Sequence, residues 1–252
     1  MDVLKKEFGL MELAACAEAT EMDGFVSVQA RQSVEETVWL CSIAQESELI
    51  KGVVGWVPLT DPGVTSILGA VSSPWLKGIR HVVQGEPDPN FILGEEFNRG
   101  VEKLADYGLI YDVLILGKQL PRSIQFVDRH PDLPMVLDHI AKPVIQGSAF
   151  DEQWATDFRE IAKRENLVCK FSGVVTEVRD EAWSIDLIRS YWEVALESFG
   201  PQRLMFGSDW PVCLLKSDYQ RWVGALEILI GELSQDEQAD IMGLNAKRVY
   251  AL

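Results

Sequence analysis

Short runs of hydrophobic and β-branched residues recur along the chain at nearly regular intervals. Seven runs begin at residues 24, 52, 78, 111, 135, 168 and 204, and they read GFVSVQA, GVVGWV, GIRHVV, YDVLIL, MVLDHI, VCKFSG and LMFGSD. Several are hydrophobic on both faces, which is typical of buried strands in a parallel sheet. The intervals between them leave room for a helix and two loops, so they predict strands joined by helical crossovers.

Helical patterns fill most of the intervals. Ser33 and Glu36 have the spacing of a capping box before a segment with helical periodicity. Segments 93–108, 150–166 and 185–200 show the same periodicity, and the first of them ends at a glycine. The interval after GVVGWV is less clear, with only a short helix candidate at 61–73.

Seven alternations of strand and helix fit either an open doubly wound sheet or a barrel. A doubly wound nucleotide-binding domain carries GxGxxG after its first strand, and none follows GFVSVQA. GxxxxGK[ST] is absent from the sequence as well. The pattern therefore favours an α/β fold of the (β/α)8 TIM-barrel type, one strand short. No linker-like segment divides residues 1–252, which predicts a single domain.

Composition narrows the classes of partner. The formal net charge of −16 argues against nucleic acid and against anionic membranes, because both require clustered Lys and Arg. Four cysteines without CxxC spacing favour reduced thiols, and the N-terminus lacks the hydrophobic region of a signal peptide. These features predict a cytoplasmic protein that acts on a small molecule.

Polar residues concentrate at the carboxyl ends of the predicted strands, where barrels place their chemistry. Because side chains alternate along a strand, Arg80 and His81 are not expected to point inward together, and the same holds for Asp138 and His139. Arg80 and Lys170 have a purely structural alternative as buried ion pairs with Asp138 or Asp209. The third histidine, His130, is expected in a surface loop. The candidate residues are Gln29, Trp56, Arg80, His81, Asp138, His139, Lys170, Ser172 and Asp209.

Five segments in register resemble the amidohydrolase-related metal-dependent hydrolases, and in particular the sugar-lactonase branch that includes L-fuconolactone and L-rhamnonolactone hydrolases. They read GVVGWVPL, GIRHVVQGEPDPNF, LPMVLDHIAKP, CKFSGVVTE and RLMFGSDWPVC, and the final NAKRVYAL is similar to the C-terminal helix of that group. The resemblance covers the chain from about Gly24 to Leu252. It implies a barrel enzyme that hydrolyses a lactone or a related C–O or C–N bond.

The resemblance also implies roles for single residues. Asp209 matches the last-strand aspartate, expected as general base, and His139 matches the sixth-strand histidine, expected to polarise the carbonyl or bind a metal. Members of the group differ in metal dependence, so one divalent ion, zinc or manganese, is left open. Substrate contacts are expected from Gln29, Trp56, Arg80, His81 and Lys170.

One departure from the family pattern is the absence of a His-x-His strand before GFVSVQA. The family's first strand therefore has no counterpart, which leaves three alternatives: a misassigned start, a truncated gene, or another element in the gap. Two exposed strand edges would also allow a homo-oligomer. The functional alternatives are a lactonase, an impaired barrel that binds a sugar acid, and a decarboxylase of the same superfamily.

Overall fold

A single seven-stranded parallel sheet forms the centre of the computed structural model, which describes residues 2–147 and 149–252. The seven hydrophobic runs are confirmed as its strands. Their bounds are β1 Phe25–Val28, β2 Ile50–Gly55, β3 Leu76–His81, β4 Ile110–Val113, β5 Met135–Leu137, β6 Leu167–Phe171 and β7 Leu204–Phe206.

The strands lie in chain order, and each is paired in parallel with the next. A doubly wound sheet reverses its strand order part-way, so this order contradicts the doubly wound alternative. The sheet is curled, which brings inner side chains of non-neighbouring strands together. Lys170 on β6 reaches Asp112 on β4, two strands away. β1 and β7, the strands of the runs GFVSVQA and LMFGSD, are the two edges of the sheet as far as the structure describes it.

Helices cover the outer face of the sheet. The helix expected after Ser33 is present, and the Ser33 hydroxyl accepts the Glu36 backbone N–H at 3.2 Å. The Glu36 carboxylate instead accepts the backbone N–H groups of Ala30 and Arg31, so only half of the capping box forms. The helices are α1 Leu10–Thr20, α2 Val34–Glu46, α3 Val64–Val71, α4 Glu95–Glu102, α5 Leu120–Arg129, α6 Glu152–Ile161, α7 Ile185–Phe199, α8 Tyr219–Ile230, α9 Gln235–Ala239 and α10 Asn245–Val249.

The segment 93–108 contains less α-helix than its periodicity predicts. α4 ends at Glu102, and a 3₁₀ turn at Ala105–Tyr107 carries the chain to Gly108. Gly108 has φ +65°, a left-handed conformation that glycine adopts without steric cost, and it ends the helical region where the sequence places the stop. No helix in residues 2–147 and 149–252 is both long and hydrophobic enough to cross a membrane.

The inner face of the sheet has its own small hydrophobic cluster, formed by Val54, Ile110, Val136, Met205 and Tyr250. Tyr250 follows α10, close to the end of the chain, and its side chain enters the interior of the curled sheet. Burial keeps the pKa of the Tyr250 hydroxyl well above its ordinary value, so the hydroxyl stays protonated. It donates to Asp112 Oδ2 at 2.9 Å, which ties the end of the chain to the middle of the sheet.

Tyr250→Phe tests this tie. The variant keeps the ring but loses a buried hydrogen bond to a charged carboxylate, which we expect to lower the free energy of unfolding by about 1.5–3 kcal/mol. Tyr107→Phe is the matched control, because the Tyr107 hydroxyl donates to the Thr65 carbonyl at an exposed site. Urea denaturation of both variants measures the difference. Equal losses would contradict a special role for Tyr250.

Candidate active site

His139 and Asp209 meet at the carboxyl end of the sheet. His139 follows β5 and Asp209 follows β7, and His139 Nε2 lies 3.8 Å from Asp209 Oδ1. The His139 side chain is buried, whereas 19% of the Asp209 side chain is exposed. A single oxygen atom placed to one side of this pair can lie within hydrogen-bond distance of both. The two residues therefore form a site that can hold a water molecule or a carbonyl oxygen.

A left-handed turn brings His139 to this position. β5 ends at Leu137, and the four residues from His139 to Lys142 all have positive φ, between 47° and 58°. None of the four is glycine, and each such residue costs roughly 1–2 kcal/mol. The turn lets Asp138 point into the sheet interior while His139 points to Asp209. Strand alternation does not allow this, which is why the sequence predicts only one of the two inside.

Buried contacts compensate for the strain of the turn. Trp154 on α6 donates its indole N–H to the Ile140 carbonyl at 2.7 Å, and Ile140 and Ala141 are fully buried. The Lys142 backbone N–H donates to the His139 carbonyl at 2.8 Å. Strained backbone of this kind persists only where surrounding structure holds it, and it concentrates at functional sites.

Asp209 also has a left-handed backbone, with φ 52°. Its carbonyl accepts the Cys213 backbone N–H at 2.9 Å, which fixes the loop after β7. Gly173, with φ +63°, lies beside both side chains of the site. A β-carbon there would lie 2.9 Å from His139 Nδ1 and 3.0 Å from Asp209 Oδ2, so only glycine fits between them.

Directly below the site lies a network of buried charges. Asp138 Oδ2 accepts from Arg80 Nη1 at 2.8 Å, and Asp138 Oδ1 lies 2.8 Å from Lys170 Nζ. Lys170 also donates to Asp112 at 2.5 Å. Arg80 donates to the side-chain and backbone oxygens of Gln29, after β1. Two positive and two negative side chains thus balance within the interior, as buried charges must.

The ion-pair alternative left open by the sequence is therefore present for Arg80 and Lys170, with Asp138 rather than Asp209 as the partner. The opposing charges of Lys170 and Arg80 hold the pKa of Asp138 well below its usual range despite its complete burial. Asp138 remains ionised as a result. The expectation that Gln29, Arg80 and Lys170 also contact substrate stays a prediction.

His81 and Trp56 form a separate cluster. The Trp56 indole N–H donates to His81 Nδ1 at 3.2 Å, and His81 Nε2 lies 2.6 Å from Glu86 Oε1. The His81 ring stacks on Phe91 with centroids 4.8 Å apart. Both nitrogens of His81 therefore have protein partners, and Trp56 is held by a hydrogen bond. Their roles as substrate contacts stay predictions.

The expectation of a surface loop for His130 is wrong. His130 is buried, and its Nε2 lies 2.8 Å from Asn98 Oδ1 on α4. The neighbouring residues Arg129 and Asp132 are exposed, so the local sequence gives no sign of this burial. All four cysteines are free, and three of them are buried.

The structure brings three further residues to the site: Ser172, a sequence candidate without an assigned role, and Asp112 and Tyr250, which are not among the candidates. Ser172 Oγ lies 2.7 Å from His139 Nδ1, Asp112 pairs with Lys170, and Tyr250 donates to Asp112. The sequence contains a sign of two of them. Ser172 is two residues from Lys170 and hence on the same face, and Asp112 is a charged residue inside a hydrophobic run. Tyr250 has no such signal.

The described residues do not make a complete catalytic zinc site. Catalytic zinc is held by three protein ligands, and His139 and Asp209 supply two donors near each other. Residues 2–147 and 149–252 contain no group of three or more His, Cys, Asp or Glu side chains arranged to hold a metal.

Comparison of the chain with known proteins shows its family. The amidohydrolase family model matches residues 3–252. The chain belongs to the amidohydrolase family. An L-fucono-1,5-lactonase of Burkholderia multivorans is 37% identical over 262 residues, an alignment that covers 100% of this chain and 88% of that protein. An L-fucono-1,5-lactonase of Burkholderia ambifaria is 30% identical, with 100% and 88% coverage.

A solved amidohydrolase structure from Burkholderia multivorans with bound zinc is similar to this chain with a TM-score of 0.95 and 36% identity. The match covers 100% of this chain and 91% of the solved one. The parallel α/β architecture is therefore the barrel-like fold of the amidohydrolases. A divalent metal is therefore present in at least this solved relative.

Burial of the histidines predicts a pH dependence of stability. Burial lowers the pKa of His81, His130 and His139 below the ordinary value. The unfolded chain, whose imidazoles titrate near about 6.5, then binds protons that the folded chain does not. We expect the free energy of unfolding to fall as pH drops from about 6.5 toward the folded-state pKa values.

Urea denaturation at about pH 7.5 and about pH 5.5 measures this effect. His130→Gln removes one of the three buried imidazoles away from the site and keeps a side-chain amide that can contact Asn98. This variant should lose less stability on acidification than the parent chain. An equal loss would show that His130 does not contribute to the pH dependence.

Proposed function

We propose that this protein hydrolyses a sugar-derived lactone, with Asp209 as general base. The observation that carries the proposal is the 3.8 Å separation of His139 Nε2 and Asp209 Oδ1 at the open end of the sheet. The 37% identity to an L-fucono-1,5-lactonase over the full length of the chain supports lactones of deoxy sugars as the substrate class. A decarboxylase is the weaker alternative, because both relatives at 30% identity or more are named lactonases.

The reaction needs a nucleophilic water, a polarised carbonyl and a proton for the leaving oxygen. The Asp209 carboxylate accepts a proton from water while the water oxygen bonds to the lactone carbonyl carbon. His139 donates a hydrogen bond to the carbonyl oxygen as negative charge develops there. The ring C–O bond then breaks, and the proton held by Asp209 passes to the departing alkoxide. The products are a carboxylic acid and a free hydroxyl on the same chain.

We propose substrate contacts for five further residues at the carboxyl end of the sheet. Trp56 offers a hydrophobic face suited to a sugar ring, and the aromatic cluster with His81 holds it in place. Arg80, Lys170 and Gln29 lie inward of the site, where the N–H groups of the two cations and the amide of Gln29 face a substrate bound above them. We propose these five residues as the substrate-binding set on that basis. A resident divalent ion would lower the pKa of bound water; the Asp209 carboxylate could hold it, and His139 could do so only with an unprotonated Nε2.

We extend the proposal to the closure of the sheet. β1 and β7 are separated edges, and the residues of β1 are only half-buried, so one additional parallel strand would close the sheet as an eight-stranded barrel. The lactonase relative of Burkholderia multivorans is longer than this chain, which covers 88% of it. One domain over residues 1–252, and association of copies through the two edges, stay predictions.

Asp209→Asn tests the general base. The amide keeps the size of the side chain but accepts no proton, so we expect hydrolysis to fall by roughly 10²- to 10⁴-fold. Proton release from L-fucono-, L-rhamnono- and D-galactono-lactones measures the rate, with and without added zinc or manganese. Asp157→Asn, at a partly exposed position of α6 away from the site, is the matched control. Full turnover by Asp209→Asn would refute the assignment.

An added strand that carries His-x-His and lies in the sheet between the edges β1 and β7 should raise the rate of lactone hydrolysis. Loss of one preorganised electrostatic contact costs about 10²-fold or more, so we expect weak hydrolysis from the 252 residues alone. A version extended at its N-terminus by such a strand should be far more active. The measurement is kcat for both lengths on the same lactones. Equal kcat values would show that Arg80, His81 or Lys170 already supplies the contact to the carbonyl.

A further inference from the structure

Ser172 makes a buried contact with the candidate catalytic histidine. Its hydroxyl oxygen lies 2.7 Å from His139 Nδ1, and Ser172 is 1% exposed. Ser172 follows directly after β6, two residues beyond Lys170, so both side chains lie on the inner face of the sheet. His139 therefore has one ring nitrogen against a hydroxyl and the other toward a carboxylate.

We infer that Ser172 is a positioning residue that donates its hydroxyl proton to His139 Nδ1 and thereby fixes the imidazole as the Nε2–H tautomer. The inference rests on the proposed function for its catalytic meaning, but the tautomer itself is a property of the free protein. In this tautomer the N–H of His139 points into the space beside Asp209.

The hydrogen-bond balance of Ser172 supports the Nε2–H tautomer. His139 Nδ1 is the one hydrogen-bond partner of Ser172 Oγ among the described residues. If Ser172 accepted from Nδ1–H, its own buried O–H would have no acceptor, which costs about 1–3 kcal/mol. As a donor to unprotonated Nδ1, the same hydroxyl is satisfied.

The Asp209 carboxylate on the other side of the His139 ring favours the same tautomer. His139 is buried, and the neutral imidazole that burial favours carries a proton on only one nitrogen. Asp209 Oδ1, 3.8 Å from Nε2, belongs to a group that only accepts when ionised. Both neighbours therefore favour the proton on Nε2.

The backbone of Gly173 and Gly207 encloses the contact between Ser172 and His139. A β-carbon on Gly207 would lie 2.6 Å from Ser172 Cβ, and one on Gly173 would lie 2.9 Å from His139 Nδ1. Glycines at these two positions let the β6 and β7 loops approach closely enough for Ser172 to reach the ring. The contact is thus enclosed on both sides, which restricts rotation of the Ser172 and His139 side chains.

The Nε2–H tautomer gives His139 a defined role in the proposed reaction. A neutral imidazole can serve as a hydrogen-bond donor to a developing oxyanion. The donor then adjoins the carboxylate that activates water, so one lactone carbonyl can meet both groups. With the proton on Nδ1, Nε2 would have only a lone pair to offer and would repel the carbonyl oxygen.

Nitrogen-15 NMR of histidine-labelled protein, without substrate, tests the tautomer directly. The chain has three histidines, and a His139→Gln variant identifies the signals of His139 by their loss. We expect the chemical shifts of a protonated Nε2 and an unprotonated Nδ1. Metal content is measured on the same sample. A protonated Nδ1 in metal-free protein would overturn the inference.

Ser172→Ala removes the donor, and we expect a mixture of tautomers and a fall in kcat of about 10- to 100-fold with little change in KM. Ser172→Thr restores a hydroxyl and should restore the Nε2–H tautomer. Ser123→Ala is the matched control, because Ser123 is an equally buried serine that donates to the Gln119 carbonyl within α5, away from the site.

The outcomes separate the two proposals. An Nε2–H tautomer that is lost in Ser172→Ala supports the positioning role even if no lactone is hydrolysed, in which case only the proposed function fails. An unchanged tautomer and an unchanged kcat in Ser172→Ala would overturn the positioning role and leave lactone hydrolysis standing.

Discussion

The position of every group in the candidate site depends on the buried ion network around Asp138. Asp138 contacts Arg80 from β3 and Lys170 from β6, and Lys170 contacts Asp112 from β4. A charge left unpaired in this interior would cost several kcal/mol, so these strands are held in one register and one curvature. His139 is the next residue after Asp138, and its backbone therefore starts from a fixed point.

The same network explains why four left-handed residues are tolerated after β5. An ordinary strand would carry His139 to the helical layer if Asp138 faced inward. The ion pairs hold Asp138 inside, and the contact with Asp209 requires His139 at the mouth, so the backbone must reverse its hand between them. Trp154 and the burial of Ile140 supply the compensating interactions. The strain is thus a direct consequence of placing an inward-facing carboxylate and an imidazole at the mouth of the sheet at adjacent positions.

Periodicity and spacing were sufficient to predict all seven strands, because each is a hydrophobic run with a helix-sized interval after it. They also placed His139 and Asp209 at the same end of the sheet. The direction of individual side chains was not predictable, since β5 ends before Asp138 and positive φ values at non-glycine residues leave no sequence signature. The burial of His130 and the insertion of Tyr250 depend on distant partners, Asn98 and Asp112, which no local pattern reveals.

Two layers of polar residues therefore follow one another along the interior. In the lower layer, Arg80, Asp112, Asp138 and Lys170 neutralise one another, and most of their donors already have acceptors. In the upper layer, the Nε2 of His139 and Oδ1 of Asp209 lie 3.8 Å apart, close enough for one oxygen atom beside the pair to contact both. Substitutions in the lower layer should act mainly through stability, because they leave a buried charge without a partner. Substitutions in the upper layer should act on turnover with little effect on stability, since Asp209 is partly solvated and the ring of His139 is held from its other side by Ser172. Measuring unfolding and kcat on the same variants distinguishes the two layers.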